Sequence, residues 1–144
     1  HCTRLCHASS VAALLEGIGS GAVSNPVMDV TQAEVVIVIG ANPTVNHPVG
    51  ASFIKNAVQN GTRLILMDPR KGELARLAHR HLQFKADTDV ALLNAMMHVI
   101  VSEGLVDADF IARRTEGYEA LAKNVEGYKM SPFATVQFYG VSLK

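Results

Sequence analysis

Two short apolar runs with a helix-length segment between them constrain this chain more than any other feature. Val35-Val36-Ile37-Val38-Ile39 is β-branched throughout. A run of this kind reads as a strand buried on both faces, which points to a parallel sheet. Gly40 ends it. From Val49 to Gln59 the periodicity becomes helical, with Phe53, Ile54, Ala57 and Val58 on one face. Asn60-Gly61 closes that helix, and Arg63-Leu64-Ile65-Leu66-Met67 is the second buried strand. Strand, helix and strand make a βαβ unit, whose crossover is expected to be right-handed. The length, 144 residues, fits one domain.

Ahead of this unit, Ser9 to Glu16 reads as a short helix capped by Ser9 or Ser10. Gly17, Gly19 and Gly21 end it and open a flexible loop, and Asp29 starts a turn or short helix leading to the first strand. Beyond Met67, Glu73 to Ala78 reads as a short helix and His81-Leu82-Gln83-Phe84 as a third strand. Asp87, Thr88 or Asp89 caps a helix from about Val90 to Ser102, which Gly104 ends. Asp107 begins another helix through Arg114, and Glu116 to Asn124 forms the last. Lys129 to Lys144 shows no clear periodicity. The expected fold class is α/β: a Rossmann-like, three-layer βαβ arrangement with a short parallel sheet.

Composition removes several classes of function. The 13 basic and 13 acidic residues balance, which argues against a nucleic-acid partner, since that would call for a basic field. No apolar run approaches the roughly 20 residues of a membrane span. Two cysteines make no disulfide framework, although a Cys2–Cys6 bond is a minor alternative. No P-loop, no zinc-ligand spacing and no G-x-G-x-x-G after the first strand is present, so a standard NAD site is unsupported.

In open α/β sheets, ligands bind beyond the carboxyl ends of the strands. Three polar loops fall there and are expected to converge on one sheet edge. The first, Gly40-Ala41-Asn42-Pro43-Thr44-Val45-Asn46-His47, offers the Asn42 and Asn46 amides, His47, and backbone N–H groups near a helix start, which suit a phosphate. The second, Asp68-Pro69-Arg70-Lys71, places a carboxylate where dinucleotide folds hold a ribose. The third, Asp87-Thr88-Asp89, offers carboxylates that can accept from the N1 and N2 donors of guanine. Each loop also has a plain reading: Asp68-Pro69 as a turn, Asp87 or Asp89 as a helix cap, His47-Pro48 as a helix start. His79 and His81 read as surface or edge residues. His98 reads as a partly buried, satisfied side chain, and Met96 and Met97 as core.

At the head of the chain, Cys6 and His7 pair a soft sulfur ligand with an adjacent imidazole. The pair suits a nucleophile, a metal ligand or a redox site with its own proton acceptor. His1 stands first without an initiator methionine, as if residues had preceded it.

Cys2-Thr3-Arg4-Leu5-Cys6-His7-Ala8-Ser9-Ser10 resembles the metal-ligand motif of molybdenum- or tungsten-dependent formate dehydrogenases, members of the molybdopterin oxidoreductase superfamily. There the pattern is Cys-x-Arg-x-Cys/Sec-His. Further segments resemble the same family in order and spacing: Gly21-Ala22-Val23-Ser24-Asn25, Gly40-Ala41-Asn42-Pro43, His47-Pro48 and Asp68-Pro69-Arg70-Lys71. Asp89-Val90-Ala91-Leu92-Leu93-Asn94-Ala95-Met96 and Arg114-Thr115-Glu116-Gly117-Tyr118 do so as well. The likeness runs from residue 1 to about Tyr128 and is greatest to catalytic alpha subunits of the NAD-dependent kind.

The resemblance implies that Cys6 is the thiolate ligand of molybdenum (or tungsten) held by two molybdopterin guanine dinucleotides. A soft thiolate suits such a metal. It implies that His7 assists proton handling as formate is oxidised to carbon dioxide. Ile39 to Asn46, Met67 to Arg70 and Asp87 to Asp89 match segments that hold one guanine dinucleotide. No metal role falls to Cys2. The chain is then expected to be a fragment. Residues 1–128 would be a cofactor-binding segment and 129–144 a divergent or truncated tail. The iron–sulfur cluster and the family's substrate arginine would lie outside these residues. The expected partners are formate, the rest of the catalytic subunit and electron-transfer subunits of diaphorase type, in the cytoplasm. A nitrate reductase-like enzyme and a non-catalytic nucleotide-binding module are the alternatives.

Overall fold

The computed structural model describes residues 4–128. The expected tail at 129–144 and Cys2 lie outside them. The contacts gather the chain into two units. One holds the residues up to Val36 together with Pro43–Thr62; the other holds Ile37–Asn42 and the residues from Arg63 onward.

In the first unit, helix α1 spans Ala8–Ile18. It starts one residue before the expected serine caps. The His7 carbonyl already accepts from Val11 N at 3.0 Å, so His7 is the N-cap and Ser9 and Ser10 lie within the first turn. Gly19, in the left-handed conformation, ends the helix. The following glycines do not simply open a loop. A Cβ on Gly21 would stand 3.2 Å from Val11 Cγ1, so the chain folds back against α1 where only glycine fits comfortably. A 3-10 turn, Val27–Gln32, stands where a turn or short helix is expected.

Helix α2, Pro43–Asn46, is a single turn inside the segment read as a loop. Helix α3, Pro48–Gln59, has Pro48 in its first turn, where a missing N–H costs nothing. Ala51, Ile54 and Ala57 are its buried stripe, and it packs on the Val27–Gln32 turn. Thr62 Oγ1 donates to the Ala33 carbonyl at 2.8 Å and closes the unit.

Strands β1 (Val35–Ile39), β2 (Arg63–Met67) and β3 (Arg80–Leu82) form one short sheet in that order. β2 and β3 run parallel, with Ile65 opposite Arg80, Leu66 opposite His81 and Met67 opposite Leu82. The central strand is buried much as a continuous apolar run predicts: Leu64, Leu66 and Met67 are buried and Ile65 is half-buried. β1 differs from expectation. Val38 is buried, but Val35 and Ile37 are each 48% exposed. Successive side chains alternate between faces, so this edge strand buries one face only among the described residues. β3 is shorter than the expected 81–84 run and starts one residue earlier. Its partner β2 gives way to Asp68-Pro69, and proline has no N–H to extend the ladder.

The core of the second unit is Met67, Phe84 and Leu92, with Ile39, Ile65, Leu82 and Met96 packed against it. Leu92 and Met96 come from α4, Asp89–Ser102. Met97 and His98 are half-buried, so Met97 lies at the margin of the core it is expected to join. The expected Glu73–Ala78 helix is a 3-10 turn, Glu73–Arg76, that buries Leu74. Helix α6, Tyr118–Val125, starts later than expected because Gly117, with φ of 75°, is its N-cap. It packs on α4 and buries Val125 completely.

Helix α5, Ala108–Arg114, begins at the expected Asp107, whose carboxylate accepts from Phe110 N at 2.9 Å. Asp107→Ala is expected to lower stability by about 1 kcal/mol, the usual cost of losing an N-cap. Thermal unfolding of the two proteins checks this. No helix among the described residues is long and apolar enough to cross a membrane.

Candidate functional site

Hydrogen bonds align the carboxyl ends of the three strands. Gly40 follows β1 and donates its N–H to the Met67 carbonyl, the last of β2, at 2.9 Å. Asp68 follows β2 and donates to the Leu82 carbonyl, the last of β3, at 3.3 Å. The starts of the first and second polar loops are thus neighbours within the second unit. Gly40 has φ of 56°, and a Cβ there would meet nothing within 4 Å. Conformation rather than crowding therefore favours glycine at this position. Ala41 and Asn42 continue from it, both exposed.

Asp68 is half-buried. Its Oδ1 accepts from Arg70 N at 2.7 Å, an Asx turn across Pro69. The plain reading of Asp68-Pro69 as a turn therefore holds, with Oδ1 as the acceptor that closes it. Arg70 is exposed. Two side chains from the third strand region grip this turn. His81 Nε2 lies 3.0 Å from the Asp68 carbonyl oxygen. Gln83 Nε2 donates to the Pro69 carbonyl at 2.7 Å. His81 is thus not merely an edge residue. The sequence signal was present in the alternation of His81, Leu82, Gln83 and Phe84, which puts the two polar residues on one face and the two apolar ones on the other.

In the third loop, Asp87 is exposed and holds φ of 65°, a conformation that aspartate tolerates better than most residues. Thr88 is the N-cap of α4 by position but makes no side-chain cap. Its hydroxyl donates backward to the Lys85 carbonyl at 2.6 Å, which corrects the expected capping role. Asp89 is the first helical residue, where a negative charge is favoured by the helix dipole.

The remaining candidates belong to the first unit. Pro43 opens α2 and Asn46 ends it; His47 is the exposed N-cap of α3 and makes no side-chain cap. Both helices begin on a proline, so each start offers one backbone donor fewer to a phosphate than a generic helix would. Cys6 is exposed and its thiol is free. It lies in the turn leading into α1, next to the N-cap His7. No group of three or more His, Cys, Asp and Glu able to hold a metal occurs among the described residues. A metal at Cys6 would draw its other ligands from elsewhere, and a donor set of one thiolate fits a metal already held by a cofactor.

The chain is 45% identical over 141 residues to formate dehydrogenase H of Escherichia coli, covering 98% of this chain and 19% of that protein. It is 42% identical over 128 residues to the F420-dependent formate dehydrogenase 1 subunit alpha of Methanococcus maripaludis, covering 89% of this chain and 19% of the relative. The chain therefore spans about a fifth of the length of these relatives. Among solved structures, acetylene hydratase from Pelobacter acetylenicus superposes with a TM-score of 0.66 at 27% identity, over 81% of this chain and 17% of that one. The model of the molybdopterin oxidoreductase family matches residues 1–132, nearly all of the sequence, and the chain belongs to that family.

Proposed function

We propose that this chain is the cofactor-binding part of a formate dehydrogenase catalytic subunit, oxidising formate to carbon dioxide at a molybdenum or tungsten centre held by two molybdopterin guanine dinucleotides. What carries the reading is the likeness to formate dehydrogenases along nearly the whole chain, with Cys6-His7 at its head. The second unit, in this reading, is a Rossmann-like nucleotide-binding half. The Asp68 carboxylate would accept from a ribose hydroxyl, and Asp87 and Asp89 would accept from the N1 and N2 donors of a guanine. Within this unit Gly40, Ala41 and Asn42 would border the diphosphate, with Pro69, Arg70 and Thr88 completing the nucleotide's surroundings; Pro43, Asn46 and His47, in the first unit, are cofactor-binding residues by the family resemblance.

Formate becomes carbon dioxide by giving up one proton and two electrons. The cofactor supplies the redox chemistry when bound; the protein positions it and handles the proton. Cys6 would contribute its thiolate to the metal. A ring nitrogen of His7, beside the Cys6 ligand, would take the proton. An iron–sulfur cluster and the electron-transfer subunits would be supplied by protein outside these residues. NAD is the acceptor the family resemblance implies. A relative named F420-dependent carries the same segment, so the acceptor is not set here. A cytoplasmic location goes with this reading.

A nitrate reductase of the same family is the runner-up, and one assay separates the two. The complete enzyme containing these residues is expected to reduce a viologen dye with formate and to show no nitrate-dependent dye oxidation. The reverse pattern would replace formate with nitrate as the substrate.

A further inference from the structure

We infer that His81 and Gln83 are positioning residues that hold the Asp68–Arg70 turn in place for a ribose; the inference rests on the nucleotide reading of Asp68 given above. Leu82 packs on the core of Met67, Phe84 and Leu92. Its neighbour His81 projects from the opposite face of β3, and Gln83 follows the end of the strand. Both reach backbone just beyond the end of β2, His81 Nε2 at 3.0 Å from the Asp68 carbonyl oxygen and Gln83 Nε2 at 2.7 Å from that of Pro69. A carbonyl can only accept, so His81 Nε2 carries the proton of its bond.

Neither bond belongs to the sheet ladder. The backbone alone holds this turn weakly. Asp68 N reaches the Leu82 carbonyl at a long 3.3 Å, and Pro69 has no N–H to offer. The side chains supply what the ladder lacks at two successive carbonyls. The turn then fixes the carboxylate, because Arg70 N holds Oδ1 at 2.7 Å. His81 and Gln83 therefore set the direction of Asp68 Oδ2 without touching the nucleotide.

The test is titration of the full chain with GDP and with 2′-deoxy-GDP, followed by calorimetry or by amide chemical shifts. The unaltered chain is expected to prefer GDP, and Asp68→Asn to abolish the preference. His81→Leu and Gln83→Leu are each expected to weaken GDP about tenfold, the scale of one hydrogen bond, and to leave 2′-deoxy-GDP little changed. His81→Gln, whose amide restores a donor, should recover the preference. If a leucine variant fails to fold, Gln83→Glu removes the donor while keeping the shape. Absence of a GDP preference in the unaltered chain, or its survival in Asp68→Asn, overturns the ribose reading itself. A preference lost in Asp68→Asn but kept in the His81 and Gln83 variants overturns this inference alone. So does equal weakening of both nucleotides, which is what a merely structural role produces.

Discussion

Cys6→Ser in the complete enzyme is expected to abolish formate oxidation and strip the metal, while leaving the melting temperature of the cofactor-free protein unchanged. The two halves of this expectation have separate causes. Cys6 is exposed, with a free thiol, so its replacement disturbs no packing. Surface changes of this kind usually stay within about 0.5 kcal/mol. A serine hydroxyl at neutral pH is a poor substitute for a thiolate toward a soft metal. Losing a ligand should cost more than the roughly 10–100-fold that loss of a group supporting a ligand costs. Activity and metal content, measured by dye reduction and elemental analysis, should therefore fall together by more than about 100-fold. A variant that kept its metal and its activity would remove Cys6 from the centre.

Phe84→Ala is expected to have the largest effect on stability. Phe84 is 4% exposed and sits with Met67 and Leu92 at the centre of the second unit's core. Truncating a buried phenylalanine costs about 3–5 kcal/mol, from lost transfer energy and from the cavity left behind. That is a large share of the roughly 5–15 kcal/mol that holds a typical domain together. The core has no close substitute for the ring, because the other residues packed there are aliphatic or methionine. Phe110 serves as the control. It is 55% exposed, and Phe110→Ala should change stability by no more than about 0.5 kcal/mol. Urea unfolding of the two variants measures both. A loss under about 1 kcal/mol at Phe84 would mean that the cluster is not the core.

The backbone order was readable wherever local chemistry decides it. β1 and β2 stand on the residues the β-branched and apolar runs mark, and α5 starts on Asp107 because a carboxylate there meets the Phe110 N–H. Features that depend on partners distant in sequence were not readable. β3 stops at Leu82 because the strand beside it runs into Pro69. Val35 and Ile37 are exposed because no described element covers their face of β1. No run of five β-branched residues can announce that.

The site shows the same division. Gly40, Asp68 and Asp87 could be picked out as loop residues after strands, since the fold class directs attention there. The engagement of Asp68 Oδ1 by its own turn, the backward bond of Thr88, and the grip of His81 and Gln83 are visible only once β2 and β3 are in register. The role of His81 is hidden in the sequence, because a histidine beside a strand start is ordinarily a surface residue. Its neighbour in space, the Asp68 carbonyl, is 13 residues away in the chain.

The most direct test of the whole reading is to release and count what the purified complete enzyme carries. Elemental analysis would be paired with acid hydrolysis and chromatography of the nucleotides. The account predicts molybdenum or tungsten together with a twofold excess of guanine nucleotide over metal, both lost in Cys6→Ser or retained only in the nucleotide. A protein active on formate that carries neither metal nor guanine nucleotide would contradict it.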